Sequence, residues 1–111
     1  MAENFPVPWS ASHASGSNAV GTSPVQVLGN NGQRAAVTFH NPGTVNIYVY
    51  SSQISPAPSL ANLGGTYVVF PGGDITIYGG NTISVSAVNG AWFAFSASSS
   101  NNPLTMMEMT L

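Results

Sequence analysis

Side chains able to move a proton or hold an ion are scarce in this chain: His13, His40, Glu3, Asp74, Glu108 and Arg34. A hydrolytic Ser-His-Asp site could be drawn from His40, Asp74 and any of the many serines, because an imidazole oriented by a carboxylate activates a hydroxyl. No serine stands in the strand-to-helix elbow that presents such a nucleophile, and the serines fall in turns and strands. A metal centre needs several clustered ligands. His13 and His40 lie far apart, no His-x-His pair occurs, and the chain has no Cys to supply a thiolate. Gly64-Gly65, Gly72-Gly73 and Gly79-Gly80 precede no Lys and open no helix, so they read as turn glycines rather than phosphate cradles. The expectation is a chain that is not an enzyme, with no catalytic residue, no cofactor and no metal.

Charge narrows the partners further. Only 4% of the 111 residues are charged against 43% hydrophobic, where an ordinary soluble domain carries about 25% charged residues. Arg34 is the only basic side chain, so there is no cationic surface to neutralise phosphates and nucleic acid is excluded as a direct partner. No apolar run approaches the roughly 18 residues of a membrane span, and no membrane partner is expected. The N-terminal region lacks a basic stretch and is broken by Pro6 and Pro8, which reads as a mature, soluble chain made in the cytoplasm. A net charge of −2 spread over so few groups gives little mutual repulsion, which suits a protein working inside an assembly.

Positioning elements follow from periodicity. Residues 1–24 hold three prolines and many serines without a sustained period, and read as an extended arm. Within it Phe5-Pro6-Val7-Pro8-Trp9 concentrates apolar groups on a polyproline-like stretch. The competing reading is a solvated tail. From residue 25 to 111 the pattern is β, with short runs of Val, Ile, Thr and aromatics between Gly, Pro and Asn clusters. Strands are expected at 25–28, 35–40, 45–51, 67–70, 74–78, 82–87, 91–97 and 104–110. Eight short strands with a long connection at 52–65 predict an all-β, jelly-roll-like or Greek-key sandwich carrying an N-terminal arm. Asn41-Pro42-Gly43 and Pro71-Gly72-Gly73 read as type II turns with glycine at positive φ.

Alternation places Ala35, Val37, Phe39, Val45, Ile47, Val49, Ile75, Ile77, Ile83 and Val85 in the core. A two-residue Asn89-Gly90 loop would put Phe93 and Phe95 on the face of Ser84 and Ser86. A three-residue Val88-Asn89-Gly90 loop instead pairs Val85 with Phe93 and Ile83 with Phe95, and is chemically coherent. It sends Trp92 to the outer face with Tyr48, Tyr50 and Tyr78. Those four aromatics, with Phe5 and Trp9 of the arm, are the expected partner-binding residues. A small carbohydrate-binding module is the alternative, because exposed Trp and Tyr can stack on sugars. It lacks the charged side chains that usually clamp a sugar's hydroxyls.

The run Asn31-Gly32-Gln33-Arg34-Ala35-Ala36-Val37-Thr38-Phe39-His40-Asn41-Pro42-Gly43, then Ile47-Tyr48-Val49 and Phe70-Pro71-Gly72-Gly73, resembles the small β-sandwich head proteins of tailed bacteriophages. With the length, the arm and the near absence of charge, it is most similar to the capsid decoration proteins, also called cement or stapling proteins, of short-tailed phages. The similarity covers roughly residues 25–97. It implies a non-enzymatic virion protein on the outer capsid surface, assembled in the host cytoplasm. Such a protein is a homodimer that binds the major capsid protein and ties neighbouring capsomers together. Arg34, Asn41 and Pro42 are carried over as scaffold positions only.

Overall fold

The computed structural model describes residues 10–80, 83–99 and 101–110, with the backbone alone for residues 10–19. Eight strands and one short helix follow in the order β1 (Ser10–Val20), β2 (Val25–Leu28), β3 (Arg34–His40), β4 (Ile47–Ser51), β5 (Tyr67–Val69), β6 (Asp74–Tyr78), α1 (Val85–Asn89), β7 (Trp92–Ser96) and β8 (Asn102–Thr110). They form two four-stranded sheets, β1-β8-β3-β6 and β2-β7-β4-β5. The antiparallel pairs β1–β8, β2–β7, β3–β6 and β4–β5 nest inside one another. The chain is thus one long hairpin, doubled back at the β4–β5 connection and wound so that successive pairs fall in alternate sheets, which is a jelly roll.

The core is where the two inner faces meet. Val37 and Phe39 of β3, Ile77 of β6, and Leu104 and Met106 of β8 oppose Ile47 and Val49 of β4, Val69 of β5, and Trp92 and Ala94 of β7. Each large apolar side chain removed from water in this way contributes about 1.5–3 kcal/mol. Phe39 and Trp92 meet across the sheets with ring centroids 5.4 Å apart and planes tilted by 54°.

Three expectations are corrected. The arm does not extend to residue 24, because Ser10–Val20 is an edge strand paired along β8 from Ser10↔Thr110 to Val20↔Asn102, and Val20 is fully buried. Serines and small residues hid this strand: its pairing is carried by the backbone, so it needs no apolar alternation. Residues 1–9, with Phe5 and Trp9, lie outside the described residues.

Of the strand expected at 82–87, Thr82 lies outside the described residues, Ile83 makes only an isolated bridge to Gly79, and Val85–Ala87 form the N-terminal part of α1. Ser84 caps it, its Oγ accepting from the Ala87 N–H at 3.2 Å. A five-residue helix is too short to stand alone. Side chains from three strands hold its C-terminal end: Ser51 Oγ donates to Ala87 O at 2.6 Å, Trp92 Nε1 to Val88 O at 3.0 Å, and Arg34 to Val88 O and Gly90 O. Ala87 and Val88 face the core, whereas Val85 is 56% exposed and not a core residue. Gly90 is a helix stop with φ −77° rather than a left-handed hairpin position. Without the hairpin its register is void, and Trp92 points inward, 0% exposed.

The third correction concerns Asn41-Pro42-Gly43, where Gly43 has no positive φ. Glycine suits this position by space, since a Cβ would sit 3.0 Å from Pro103 Cδ and press on the proline ring. The other turn is as expected. Gly72 has φ +76° and the Gly73 N–H donates to Phe70 O at 2.8 Å, a type II turn.

Candidate interaction surface

The chain's only cation is placed by a β-bulge. Arg34 and Ala36, two apart on β3, oppose Thr110 and Met109, adjacent on β8. The extra residue breaks the alternation of β3 and turns the Arg34 side chain inward, out of step with Thr38 and His40. Ala35, expected in the core, is only half-buried, and Ala36 is fully buried. Arg34 is 2% exposed. It pairs with Glu108 of β8, Nη2 to Oε1 at 2.7 Å, while Asn31 Nδ2 donates to the same oxygen at 3.1 Å. The one Lys or Arg side chain in the sequence is consumed in tying β3, β8, α1 and the β2–β3 loop together.

At the other end of β3, Asn41 is 0% exposed. Its Nδ2 donates to Val45 O at 2.6 Å and Val69 O at 2.8 Å, and its Oδ1 accepts from the Gly43 N–H at 3.0 Å. Its backbone bonds Gly73 O and the Gly72 N–H at 3.0 and 2.7 Å. The Asn-Pro and Pro-Gly-Gly segments, thirty residues apart in the chain, therefore form one knot joining the β3–β4 and β5–β6 turns. These motif residues do structural work here.

The expected partner-binding aromatics do not share one platform. Trp92 is core. Tyr48 and Tyr50 lie on the outer face of the β2-β7-β4-β5 sheet, facing Phe95 and Phe93 across β4 and β7. The Tyr48–Phe95 centroids are 5.5 Å apart, and Tyr50 stacks on Phe93 at 5.6 Å and 17°. Tyr50 is 5% exposed and Phe95 is fully buried, so this sheet is apolar on both faces, and burial pushes the Tyr50 phenol up. Phe93 and Phe95 were expected in the core; they stand on the outer face because the register drawn from Asn89-Gly90 does not exist. Tyr78 is exposed on the opposite sheet, at the end of β6.

That second outer face carries Thr38, His40, Thr105 and Met107, which line a shallow groove of about 200 Å³ with Met106 at its base. His40 and Asp74 are register partners on β3 and β6, as a Ser-His-Asp site would need. The hydroxyl beside them, on Thr38, bonds Thr76 at 2.8 Å. Among the described residues no three His, Asp or Glu side chains gather as a metal site.

A larger cleft of about 460 Å³ opens between α1 and the 52–66 connection, lined by Ile54, Thr66, Tyr67, Ile83 and Ala87 over the buried Trp92. Sequence reasoning missed it because one of its walls is the helix that replaced the expected strand. No protein-family model matches the chain, and neither a curated protein nor a solved structure is significantly similar to it.

Proposed function

We propose that the chain is a structural virion protein that decorates the outside of a bacteriophage capsid and staples neighbouring capsomers. Its partners on this reading are the major capsid protein and a second copy of itself. One observation carries the proposal: Arg34, the only Lys or Arg, is buried in an internal ion pair, so no lysine or arginine reaches the surface. With Asp74 an exposed acid among the described residues, contacts are left mainly to apolar, aromatic and amide groups, which lose little in salt. A lattice presents many equivalent sites, so modest contacts per copy add up to a stable shell. The resemblance of the 31–43 and 70–73 segments to stapling proteins supports the same reading.

The carbohydrate-module alternative rested on a stacking platform of Tyr48, Tyr50, Tyr78 and Trp92. With Trp92 in the core and Tyr78 on the other sheet, that platform is divided. Co-sedimentation of purified protein with shells assembled without it tests the proposal. Saturable binding that survives high salt and raises the heat resistance of the shell is expected, and absence of binding overturns it.

A further inference from the structure

The cleft beside α1 has the size of a site for large side chains, within the roughly 300–1,000 Å³ range that encloses a drug-sized group. Its three aliphatic hydroxyls are committed within the chain. Ser51 Oγ donates to Ala87 O, Thr66 Oγ1 donates to Leu63 O at 2.7 Å, and Ser84 Oγ accepts from the Ala87 N–H. What remains is mainly hydrocarbon and aromatic surface on Ile54, Tyr67, Ile83 and Ala87, with the neutral Gln53 amide and the Tyr67 phenol as its polar groups and no charged side chain in the lining. Next to the lining residues Thr66 and Ser84, Leu63 and Val85 are 38% and 56% exposed, so the apolar surface continues over the rim. Such a surface, with only two uncharged polar groups, suits an apolar peptide better than a sugar, whose many hydroxyls each need a hydrogen-bond partner.

The chain itself carries such a peptide in Phe5-Pro6-Val7-Pro8-Trp9. It precedes Ser10, where β1 begins beside Thr110, and Arg34 pairs with that same Thr110. Arg34 in turn bonds Val88 O and Gly90 O, so the segment starts from the end of the sandwich that bears α1 and the cleft. Phe5 and Val7 each precede a proline, a sequence that disfavours helix at both positions and suits a peptide bound extended to a neighbouring copy. Residues 1–9 reach up to about 30 Å when extended, and a stiff proline-rich rod loses little entropy on docking in an aromatic-lined groove.

We infer that residues 5–9 of one copy dock in the cleft between α1 and the 52–66 connection of a second copy, with Phe5 and Trp9 as the anchors. This deepens the stapling reading, on which it rests for its purpose, by naming the segment and the socket that join copies. The full-length protein should self-associate when followed by light scattering over a concentration series. The double variant Phe5→Ser/Trp9→Ser should weaken association roughly tenfold or more, as loss of aromatic anchors does. On the cleft side Thr66→Trp should do the same by filling the socket, and Val85→Asp, at an exposed position that leaves folding intact, by charging its rim.

Mixing the anchor variant with a cleft variant restores one intact arm–socket contact, so the mixture should associate where each alone does not. A monomeric parent protein, variants that associate like the parent, or a mixture that fails to recover would each overturn the inference. If the parent is monomeric but Phe5→Ser/Trp9→Ser abolishes co-sedimentation with shells, the arm docks on coat protein. The inference then falls while stapling stands; loss of all shell binding by the parent would instead overturn the stapling reading.

Discussion

Arg34 meets Glu108 through a single oxygen: Nε and Nη2 both donate to Oε1, at 2.8 and 2.7 Å. The other three N–H groups of the guanidinium go to the carbonyls of Val88, Gly90 and Gly29 at 3.0, 2.8 and 2.8 Å. All five donors of the side chain are thereby used. Truncation by Arg34→Ala strips three carbonyls and a partly buried carboxylate of this donor and should cost about 3–5 kcal/mol. Arg34→Lys keeps the charge but not the fork, and should lose about 2–3 kcal/mol. Urea unfolding midpoints of the two variants and the parent measure both.

Asn41 makes the matching argument at the far end of β3. Asn41→Ala leaves the carbonyls of Val45 and Val69 without their donor, an expected loss of about 2–4 kcal/mol. Asn41→Asp is nearly the same size yet should be worse than alanine near neutral pH, because a carboxylate would face two carbonyl oxygens. Thermal unfolding of the two variants side by side checks the order.

Much of this architecture is legible in the residues. Val37 and Phe39, Ile47 and Val49, and Ile77 announce their faces by strict alternation, and Asp74–Tyr78 forms where the pattern places it. The failures share a cause, which is that the deciding contacts are distant in sequence. Ser84-Val85-Ser86 alternates like a strand. A helix forms over Val85–Asn89 instead because Ser51, Arg34 and Trp92, remote from it in the chain or beyond its end, collect the carbonyls of Ala87 and Val88. Trp92-Phe93-Ala94-Phe95 is apolar on both parities, so only its neighbours could say which face is inner. The inward turn of Arg34 depends on a bulge against Thr110 and Met109 that no local pattern encodes.

Trp92 and Val85 exchange the roles that alternation gives them. Trp92→Ala should cost about 3–5 kcal/mol, since it empties the centre of the sandwich beside Phe39 and removes a donor to Val88 O. Val85→Ala, at an exposed helix position, should change stability by less than about 0.5 kcal/mol. Chemical denaturation of the isolated domain distinguishes them, and equal losses would contradict the placement of both residues.

Tyr50 gives the fold an alkaline limit. Its phenol is raised above 10.0 by burial, so the folded state holds that proton longer than the unfolded state does. The stabilisation is complete below the unfolded value and is lost as pH rises through the folded one. Tyr50→Phe removes this dependence on pH. Between about pH 9 and about pH 11 the urea midpoint of the parent should fall more than that of the variant. Parallel falls would show that Tyr50 does not contribute.

Truncation at the N-terminus separates the two parts of the region first read as one arm. Removing residues 1–9 leaves β1 intact, and the domain should keep its circular dichroism spectrum and unfolding midpoint while losing the proposed arm–cleft association. Removing residues 1–23 deletes the strand that pairs with β8 from Thr110 to Asn102, together with the buried Val20. That cut exposes an edge of β8 and takes away the backbone partner of Ser96 N, which donates to Gly21 O at 2.7 Å. Asn102 also loses an acceptor, since its Nδ2 donates to Val20 O at 2.8 Å. An unpaired, apolar edge is a template for association with other chains, so the longer truncation should unfold at lower temperature and aggregate. Equal stability of the two truncated proteins would contradict the assignment of Ser10–Val20 to the sandwich and return the whole segment to an arm.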